Sequence, residues 1–170
     1  MVPQAIKEFG TVRENEERRD GGCAVVFEPT TGLFAVGKER ESGRLRLFSG
    51  GVEHDEQMRD GILREVREES GLYDFGHIEF VAEALAHYHN RLKNVNRVAH
   101  AHCFLVVLKS TATQPTELEA HETFDLAWAS ASEIFTNWKS WNEDHGLDHW
   151  VYFFELSLER IAALGYVLDH

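Results

Sequence analysis

The sequence is poor in cysteine, in long apolar runs and in positive charge. Its two cysteines, Cys23 and Cys103, each lie in an apolar stretch, which indicates reduced core thiols rather than a disulfide framework or a zinc ribbon. No apolar run reaches the roughly 18 residues that span a bilayer, and the N-terminal sequence MVPQAIKEFG lacks the apolar segment of a signal peptide. We therefore expect a cytoplasmic protein with no membrane partner.

The shortage of positive charge limits the possible ligands. The 17 Lys and Arg residues against 29 Asp and Glu give a net charge of -12, which opposes nonspecific binding to a nucleic acid polymer because a polyanion would be repelled. A phosphate-bearing ligand must then be bound locally, by a metal ion or by a few cationic side chains. The length of 170 residues and the hydrophobic content of 43% predict one domain with its own core.

Apolar periodicity and turn residues predict the elements of that domain. Two apolar runs around Pro-Thr-Thr-Gly indicate a hairpin within residues 22–38. Further strands are predicted at residues 45–48, 77–89, 98–109 and 122–128. Helices are predicted at residues 55–70 and 132–138 and within 147–164, the first with Asp55 as N-cap and Gly71 as its left-handed stop. Residues 1–20 fit either a loosely attached arm or an edge strand with a loop.

The first predicted helix ends in the charge run REVREES, residues 64–70. Such a run is ordinarily a solvated face with i to i+4 ion pairs. Here the apolar residues share one arc of the helical wheel, namely Met58, Ile62, Leu63 and Val66. Glu65 and Glu69 lie within about 20° of Met58 rather than opposite it, and Glu68 lies beside them. The carboxylates therefore extend the buried row instead of covering the far face.

Carboxylates on adjoining turns need positive compensation. At about 6 Å and an effective dielectric of about 20, each pair repels by roughly 3 kcal/mol. Arg64 is one neighbour, but a divalent ion bound by several oxygens compensates better, and oxygen ligands favour Mg²⁺ or Mn²⁺. Just upstream, Ser49-Gly50-Gly51 allows a close approach of the backbone and offers a carbonyl to a metal.

These residues together resemble a known family motif. Gly50, Glu56, Arg64-Glu65-Val66, Glu68-Glu69 and Gly71-Leu72 match the Nudix box at every defined position. The resemblance extends over residues 21–138 and implies an α/β fold, an α/β/α sandwich with a central mixed sheet. We expect residues 1–170 to form a single Nudix domain, with residues 1–20 as an N-terminal arm and 139–170 as a helical C-terminal extension. Ser49 stands where many members have proline, which leaves every charged position intact.

The resemblance implies a reaction and a set of site residues. The expected reaction is hydrolysis of a nucleoside diphosphate linked to another moiety, with Mg²⁺ or Mn²⁺ and with water attacking a phosphorus of the diphosphate. The implied metal ligands are the Gly50 carbonyl and the carboxylates of Glu65, Glu68, Glu69 and Glu122. The implied catalytic group comprises Arg64, which orients the carboxylates, with Glu65, Glu68 and Glu69. The general base stays open between Glu68, Glu69 and a glutamate of a later loop, and Glu56 is expected to support the junction of loop and helix.

A noncatalytic Nudix module that binds a nucleotide or a protein partner is the alternative. Such a module would be expected to lose some charges of the box, and this sequence keeps them all. An active enzyme is therefore the favoured interpretation, and its partner is a small nucleotide diphosphate.

Three groups of residues outside the box are candidates for further roles. Arg91, Lys93 and Arg97 lie between two predicted strands and fit either a site for the phosphate or carboxylate end of a substrate or a solvated hairpin tip. Four alternating histidines fit a metal cluster, a substrate pocket or ordinary hydrogen bonds: His87, His89, His100 and His102. The aromatic C-terminal region fits a core, a homodimer interface or base stacking: Trp138, Trp141, Trp150, Tyr152, Phe153 and Phe154.

Overall fold

The computed structural model describes residues 6–142 and 145–169. The strands in this part of the chain are β1 (Lys7–Phe9), β2 (Glu17–Glu28), β3 (Leu33–Glu39), β4 (Leu45–Arg46), β5 (Phe48–Gly51), β6 (Phe75–Asn90), β7 (Val95–Leu108) and β8 (Phe124–Ala129). The helices are α1 (Met58–Ser70), α2 (Ala131–Trp141) and α3 (Asp148–Ala163). None of the helices in the described ranges is both long and apolar enough to cross a membrane.

The strands form one mixed sheet with the order β1-β6-β7-β2-β3-β4. The pairs β1 with β6 and β2 with β7 are parallel, and β6 with β7 and β2 with β3 are antiparallel. Strand β5 pairs with the first half of β2, and β8 pairs with β3. Because β2 pairs with β7, β3 and β5, it holds the middle of the sheet.

Helices cover both faces of this sheet, which confirms the predicted α/β/α sandwich. On one face, Ile62, Leu63 and Val66 of α1 pack against apolar side chains of β2, β7 and β8. On the other, α2 and α3 contribute the aromatic residues Trp138, Trp150, Phe153 and Phe154. The aromatic C-terminal region is therefore mainly core. The side chains of Cys23 and Cys103 are free and buried in the same core.

The N-terminal residues form the edge of the sheet, which agrees with the second of the two interpretations of residues 1–20. Strand β1 pairs with residues 84–86 of β6, and the charged segment at residues 17–20 is the start of β2. His87 of β6 contacts the carboxylates of Glu8 and Glu16, the latter at 2.7 Å. These contacts hold the chain on both sides of the β1–β2 loop. The first five residues lie outside the described part.

For three of the predicted boundaries that are wrong, the structure shows the reason. Helix α1 begins after Gln57, not at Asp55, because the preceding residues form a turn in which the backbone N–H of Glu56 donates to the carbonyl of Glu53 at 3.0 Å. The connection between β6 and β7 is residues 91–94, because the strand pairing continues to Asn90 and Val95. Glu122 lies in a turn closed by its hydrogen bond to Glu119, before β8 begins.

The end of α1 and the start of α2 follow from local chemistry. Gly71 ends α1 with φ at 81°, as predicted for a left-handed stop. Helix α2 starts at a capping box in which Ser130 and Glu133 exchange side-chain to backbone hydrogen bonds. It runs to Trp141, three residues beyond the predicted end at Trp138.

Candidate active site

Arg64 joins helix α1 to the loop that precedes it. Its guanidinium donates to both carboxylate oxygens of Glu56, from Nε at 2.8 Å and from Nη2 at 3.0 Å. Nη1 donates to Glu65 and to Glu68, each at 3.1 Å, and Nη2 also donates to the carbonyl of Gly51 at 3.3 Å. These charge-assisted bonds bring two carboxylates of the box together and fix them relative to the loop.

Glu56 supports the junction of loop and helix, the position that the sequence predicts for it. Besides holding Arg64, its Oε1 accepts from the backbone N–H of Glu53 at 3.1 Å. The hydrogen bond from Arg64 holds the pKa of Glu56 below its ordinary value. The residue is therefore a stable anion that positions the guanidinium.

Glu65 lies directly against the backbone of Gly50. A Cβ atom at residue 50 would overlap the Glu65 carboxylate, so only glycine permits this approach. Burial, opposed by the charge of Arg64 and assisted by that of Glu68, raises the pKa of Glu65 to about 7. A carboxyl group with this pKa is only partly ionised at neutral pH unless a cation compensates its charge.

Glu69 is buried, with 1% of its surface exposed. Its Oε1 accepts from the backbone N–H of Ser49 at 2.8 Å, whereas its Oε2 is buried and has no hydrogen-bond partner among the described residues. Burial and the neighbouring carboxyl group of Glu122 raise the pKa of Glu69, because two neighbouring carboxylates favour a shared proton or a bound cation.

Arg46 belongs to this site, although no motif in the sequence indicates it. Its guanidinium lies 4.6 Å above the ring of Phe124. Its positive charge partly opposes the rise in the pKa of Glu69 and contributes to the lowered pKa of Glu122. Its Nε atom is buried with no hydrogen-bond partner in the described ranges. Arg46 follows a buried leucine in a two-residue strand, and nothing in that local pattern distinguishes it from a surface arginine.

The donor set fits a hard divalent cation. Five carboxyl groups meet two guanidinium groups in this cluster: Glu56, Glu65, Glu68, Glu69 and Glu122 with Arg46 and Arg64. The excess of negative charge, the buried Oε2 of Glu69 and the raised pKa of Glu65 are all compatible with a bound cation. Carboxylate oxygens and a backbone carbonyl are the ligands of Mg²⁺ and Mn²⁺.

An open cleft of about 1740 Å³ borders this cluster. Its wall includes the glycine loop at residues 49–54, the N-terminal residues 9–11 and 13, the β6–β7 turn and the residues just before α3. Arg91, Lys93 and Arg97 all line it. Arg91 and Lys93 are exposed in the turn, whereas Arg97 lies in β7 with 8% of its surface exposed, so the prediction that it lies in the connection is wrong.

Comparison with known proteins assigns the family. The family model of the NUDIX domain matches residues 17–151, which is most of the chain. The chain belongs to the Nudix family. With every charged position of the Nudix box present, it is a hydrolase that acts on phosphoanhydride bonds. No curated protein matches the chain significantly.

Solved structures of other Nudix proteins share the fold. A Nudix hydrolase from Nitrosomonas europaea is 20% identical and has a TM-score of 0.50, over 72% of this chain and 79% of its own. The Nudix domain of Shewanella oneidensis NrtR, solved with ADP ribose, is 14% identical with a TM-score of 0.54, over 71% of this chain and 78% of its own. A pyrophosphohydrolase from Bacillus subtilis is 13% identical with a TM-score of 0.50, over 69% of this chain and 66% of its own. At these identities the likeness establishes the fold.

The four histidines of this Nudix chain do not form one cluster. The β6–β7 register places them on one face, but at different positions along the strands. His87 contacts Glu8 and Glu16, and His89 contacts Asn96 at 2.8 Å. His100 and His102 lie together, with ring centroids 4.6 Å apart.

Proposed function

We propose that this Nudix protein hydrolyses a nucleoside diphosphate linked to another moiety, using Mg²⁺ or Mn²⁺ held by the glutamates of α1. The observation that carries the proposal is the position of Gly50, which contacts the Glu65 carboxylate and also lines the cationic cleft. A diphosphate in the cleft could thus reach the carboxylate cluster across a wall that has no side chain. The Gly50 carbonyl with Glu65, Glu68, Glu69 and Glu122 would supply the metal ligands.

The residues of the cluster have separable roles in this reaction. A bound divalent ion would lower the pKa of a coordinated water and neutralise charge on the diphosphate. Arg64 fixes the carboxylates of Glu65 and Glu68 through Nη1. Glu69 and Glu122 influence each other's ionisation, and in this proposal the pair accepts the proton released when water attacks phosphorus and the phosphoanhydride bond breaks.

The charge of the cleft supports an anionic substrate. Among the residues that the structure describes, seven Lys and Arg side chains line it, but only four Asp and Glu side chains do. The cations are Arg13, Arg18, Arg19, Arg44, Arg91, Lys93 and Arg97, and the acids are Asp20, Glu53, Glu56 and Glu119. A protein with a net charge of -12 therefore presents a locally positive surface beside its carboxylate cluster, which would attract phosphate groups.

The same proposal includes the compartment in which the protein acts and the extent of its domain. The free, buried thiols of Cys23 and Cys103 support a reducing compartment such as the cytoplasm. The continuous sheet, which extends from β1 to β8, supports residues 1–170 acting as one Nudix unit.

A substrate panel tests the proposal. ADP-ribose, NADH, dinucleoside polyphosphates and nucleoside triphosphates are incubated with the protein and Mg²⁺, and the release of phosphate or nucleoside monophosphate is measured. We expect Mg²⁺-dependent turnover of at least one compound. Glu69→Gln should then lower the rate by orders of magnitude while circular dichroism stays unchanged. Tight binding without turnover across the panel would favour a noncatalytic module instead.

A further inference from the structure

One carboxylate and two imidazoles converge on the α1 side of the sheet, outside the cleft. Glu83 of β6 is the register partner of His102 of β7, and His100 lies two residues before it on the same face. One ligand atom from each of the three side chains lies within 4.8 Å of the other two. We propose that Glu83, His100 and His102 form a second metal site, which binds a divalent transition metal ion of the Zn²⁺ class.

The distances suit a metal ion with little rearrangement. Oε2 of Glu83 lies 2.8 Å from Nε2 of His100 and 3.2 Å from Nε2 of His102. Donor atoms bound at about 2.1 Å to a tetrahedral ion lie about 3.4 Å apart. The Glu83 oxygen therefore needs to move away from each of the two nitrogens by only a few tenths of an ångström. Two imidazoles and one carboxylate select Zn²⁺ and related ions over Mg²⁺, which prefers oxygen ligands.

The contacts of the two imidazoles bring their Nε2 atoms to one oxygen. Nε2 of His100 and Nε2 of His102 both face Oε2 of Glu83, so the three atoms point at a common centre. Nδ1 of His102 lies on the other side of its ring and is buried with no hydrogen-bond partner among the described residues. A water molecule would have to accept its proton when Nε2 binds a metal.

The surroundings of His100 can accommodate the change of tautomer that metal binding requires. In the metal-free protein Arg18 donates to Nδ1 of His100 at 2.8 Å, so the ring proton lies on Nε2 and faces Glu83. When Nε2 binds a metal, that proton leaves and Nδ1 takes one, and the ring stays neutral. Oδ1 of Asp20 lies 3.8 Å from Nδ1 and can accept the new hydrogen bond. Arg18 also contacts Asp20, at 3.3 Å, and can retain that partner. A carboxylate behind a ligating histidine is the usual second partner in such sites.

The site leaves a fourth position for water or a ligand. Glu83, His100 and His102 are each partly exposed, so an ion would be accessible from solvent. None of the three lines the cleft. Arg18 and Asp20, which lie behind His100, do line it. The three metal ligands are nevertheless different residues from those of the proposed diphosphate reaction, and the test of zinc binding does not depend on turnover.

Zinc binding by the full chain tests the proposal. Isothermal titration with ZnCl₂ is carried out in excess Mg²⁺, which occupies the glutamates of α1. We expect one Zn²⁺ per wild-type chain, and binding at least about tenfold weaker in Glu83→Gln and His102→Gln. His77→Gln is the matched control, because His77 is an exposed histidine of β6 with its own glutamate, Glu79, at 3.3 Å. It should bind zinc like the wild type.

Histidine ¹⁵N spectra of the wild-type protein give a readout that needs no variant to fold. Zinc should shift the Nε2 signals of His100 and His102 and leave His77 unchanged. Equal zinc affinity in the wild type and in folded Glu83→Gln would overturn the proposal. So would binding of one Zn²⁺ without any change at His100 and His102.

Discussion

Arg64 holds Glu56 by two hydrogen bonds, from Nε at 2.8 Å and from Nη2 at 3.0 Å. The same guanidinium reaches Glu65 and Glu68 through Nη1. One planar cation thus fixes the loop and two carboxylates of the cluster at once. Lysine has neither the planar fork nor enough donors in that geometry.

Arg64→Lys should therefore impair catalysis more than folding. We expect kcat to fall about 10- to 100-fold, the range typical of groups that orient metal ligands. Arg59→Lys is the matched control, since Arg59 lies on the same helix, is half exposed and contacts Asp60 at only 3.8 Å. Steady-state kinetics and circular dichroism measure both variants. Equal rates for the two lysine variants would contradict the assigned role of Arg64.

Two adjacent glycines provide a second test. In Gly50→Ala the new methyl group would overlap the Glu65 carboxylate, whereas in Gly51→Ala the nearest atom outside residues 50–52 is the Asp20 carbonyl oxygen at 3.9 Å. Gly50→Ala should displace Glu65 and lose most activity, while Gly51→Ala should keep most of it. Thermal unfolding of both variants distinguishes a local displacement from a loss of fold. Similar activities in the two folded variants would show that the contact of Gly50 with Glu65 does not matter.

Arg91 and Lys93 are expected to act on substrate affinity. Both are exposed in the β6–β7 turn beside the cleft, so each should contribute about 1 kcal/mol or less to binding a phosphate group. Arg91→Ala and Lys93→Ala should raise KM several-fold at low salt and leave kcat nearly unchanged. The effect should shrink as ionic strength rises. Lys139→Ala, on the exposed side of α2, is the control, and an equal rise in its KM would argue against a local role of the turn.

The attachment of β1 should depend on pH through His87. Burial acts to lower the pKa of His87, but its hydrogen bonds to Glu16 and Glu8 outweigh burial and raise the pKa above the usual value. Because the pKa of His87 is higher in the folded state, protonated His87 stabilises that state. The stabilisation is complete when the pH is below the unfolded pKa of about 6.5, and it is lost as the pH rises through the folded pKa.

Hydrogen exchange at the amides of Glu8 and Phe9 measures this dependence. After correction for intrinsic exchange, protection should be greater at pH 6 than at pH 9. His87→Gln should remove most of the difference in protection between the two pH values, because glutamine cannot carry the positive charge that binds the carboxylates of Glu8 and Glu16. A pH dependence that is the same in His87→Gln and in the wild type would disprove the assignment.

The sequence predicts those parts of the candidate site in which helical periodicity alone determines where a side chain lies. The wheel places Glu69 in the row of Met58 and Ile62, and Glu69 is buried there. The start of α1 was misplaced by two residues, because the turn at residues 53–56 that precedes it is held by the salt bridge of Glu56 with Arg64, eight positions along the chain. Arg46 was missed for the same reason, since its partners come from α1 and from the turn before β8.

The sheet was predictable in its strands but not in their register. Alternation places four histidines on one face of the β6–β7 hairpin, whereas the register decides that only His100 and His102 meet Glu83. The polar segment that begins β2 has no apolar pattern. It is a strand because it pairs with residues 97–100 of β7, and that long-range pairing leaves no local signal.

The central claim is that the glutamates of α1 hold a divalent cation, and direct binding of Mn²⁺ tests it without knowledge of the substrate. Free Mn²⁺ is followed by electron paramagnetic resonance as wild-type protein, Glu68→Gln and Glu159→Gln are added. Glu159 is exposed on α3, far along the chain from the box. We predict that the wild type and Glu159→Gln bind Mn²⁺ equally and that Glu68→Gln binds it at least about tenfold more weakly. Equal Mn²⁺ affinity in Glu68→Gln and the wild type would contradict the account.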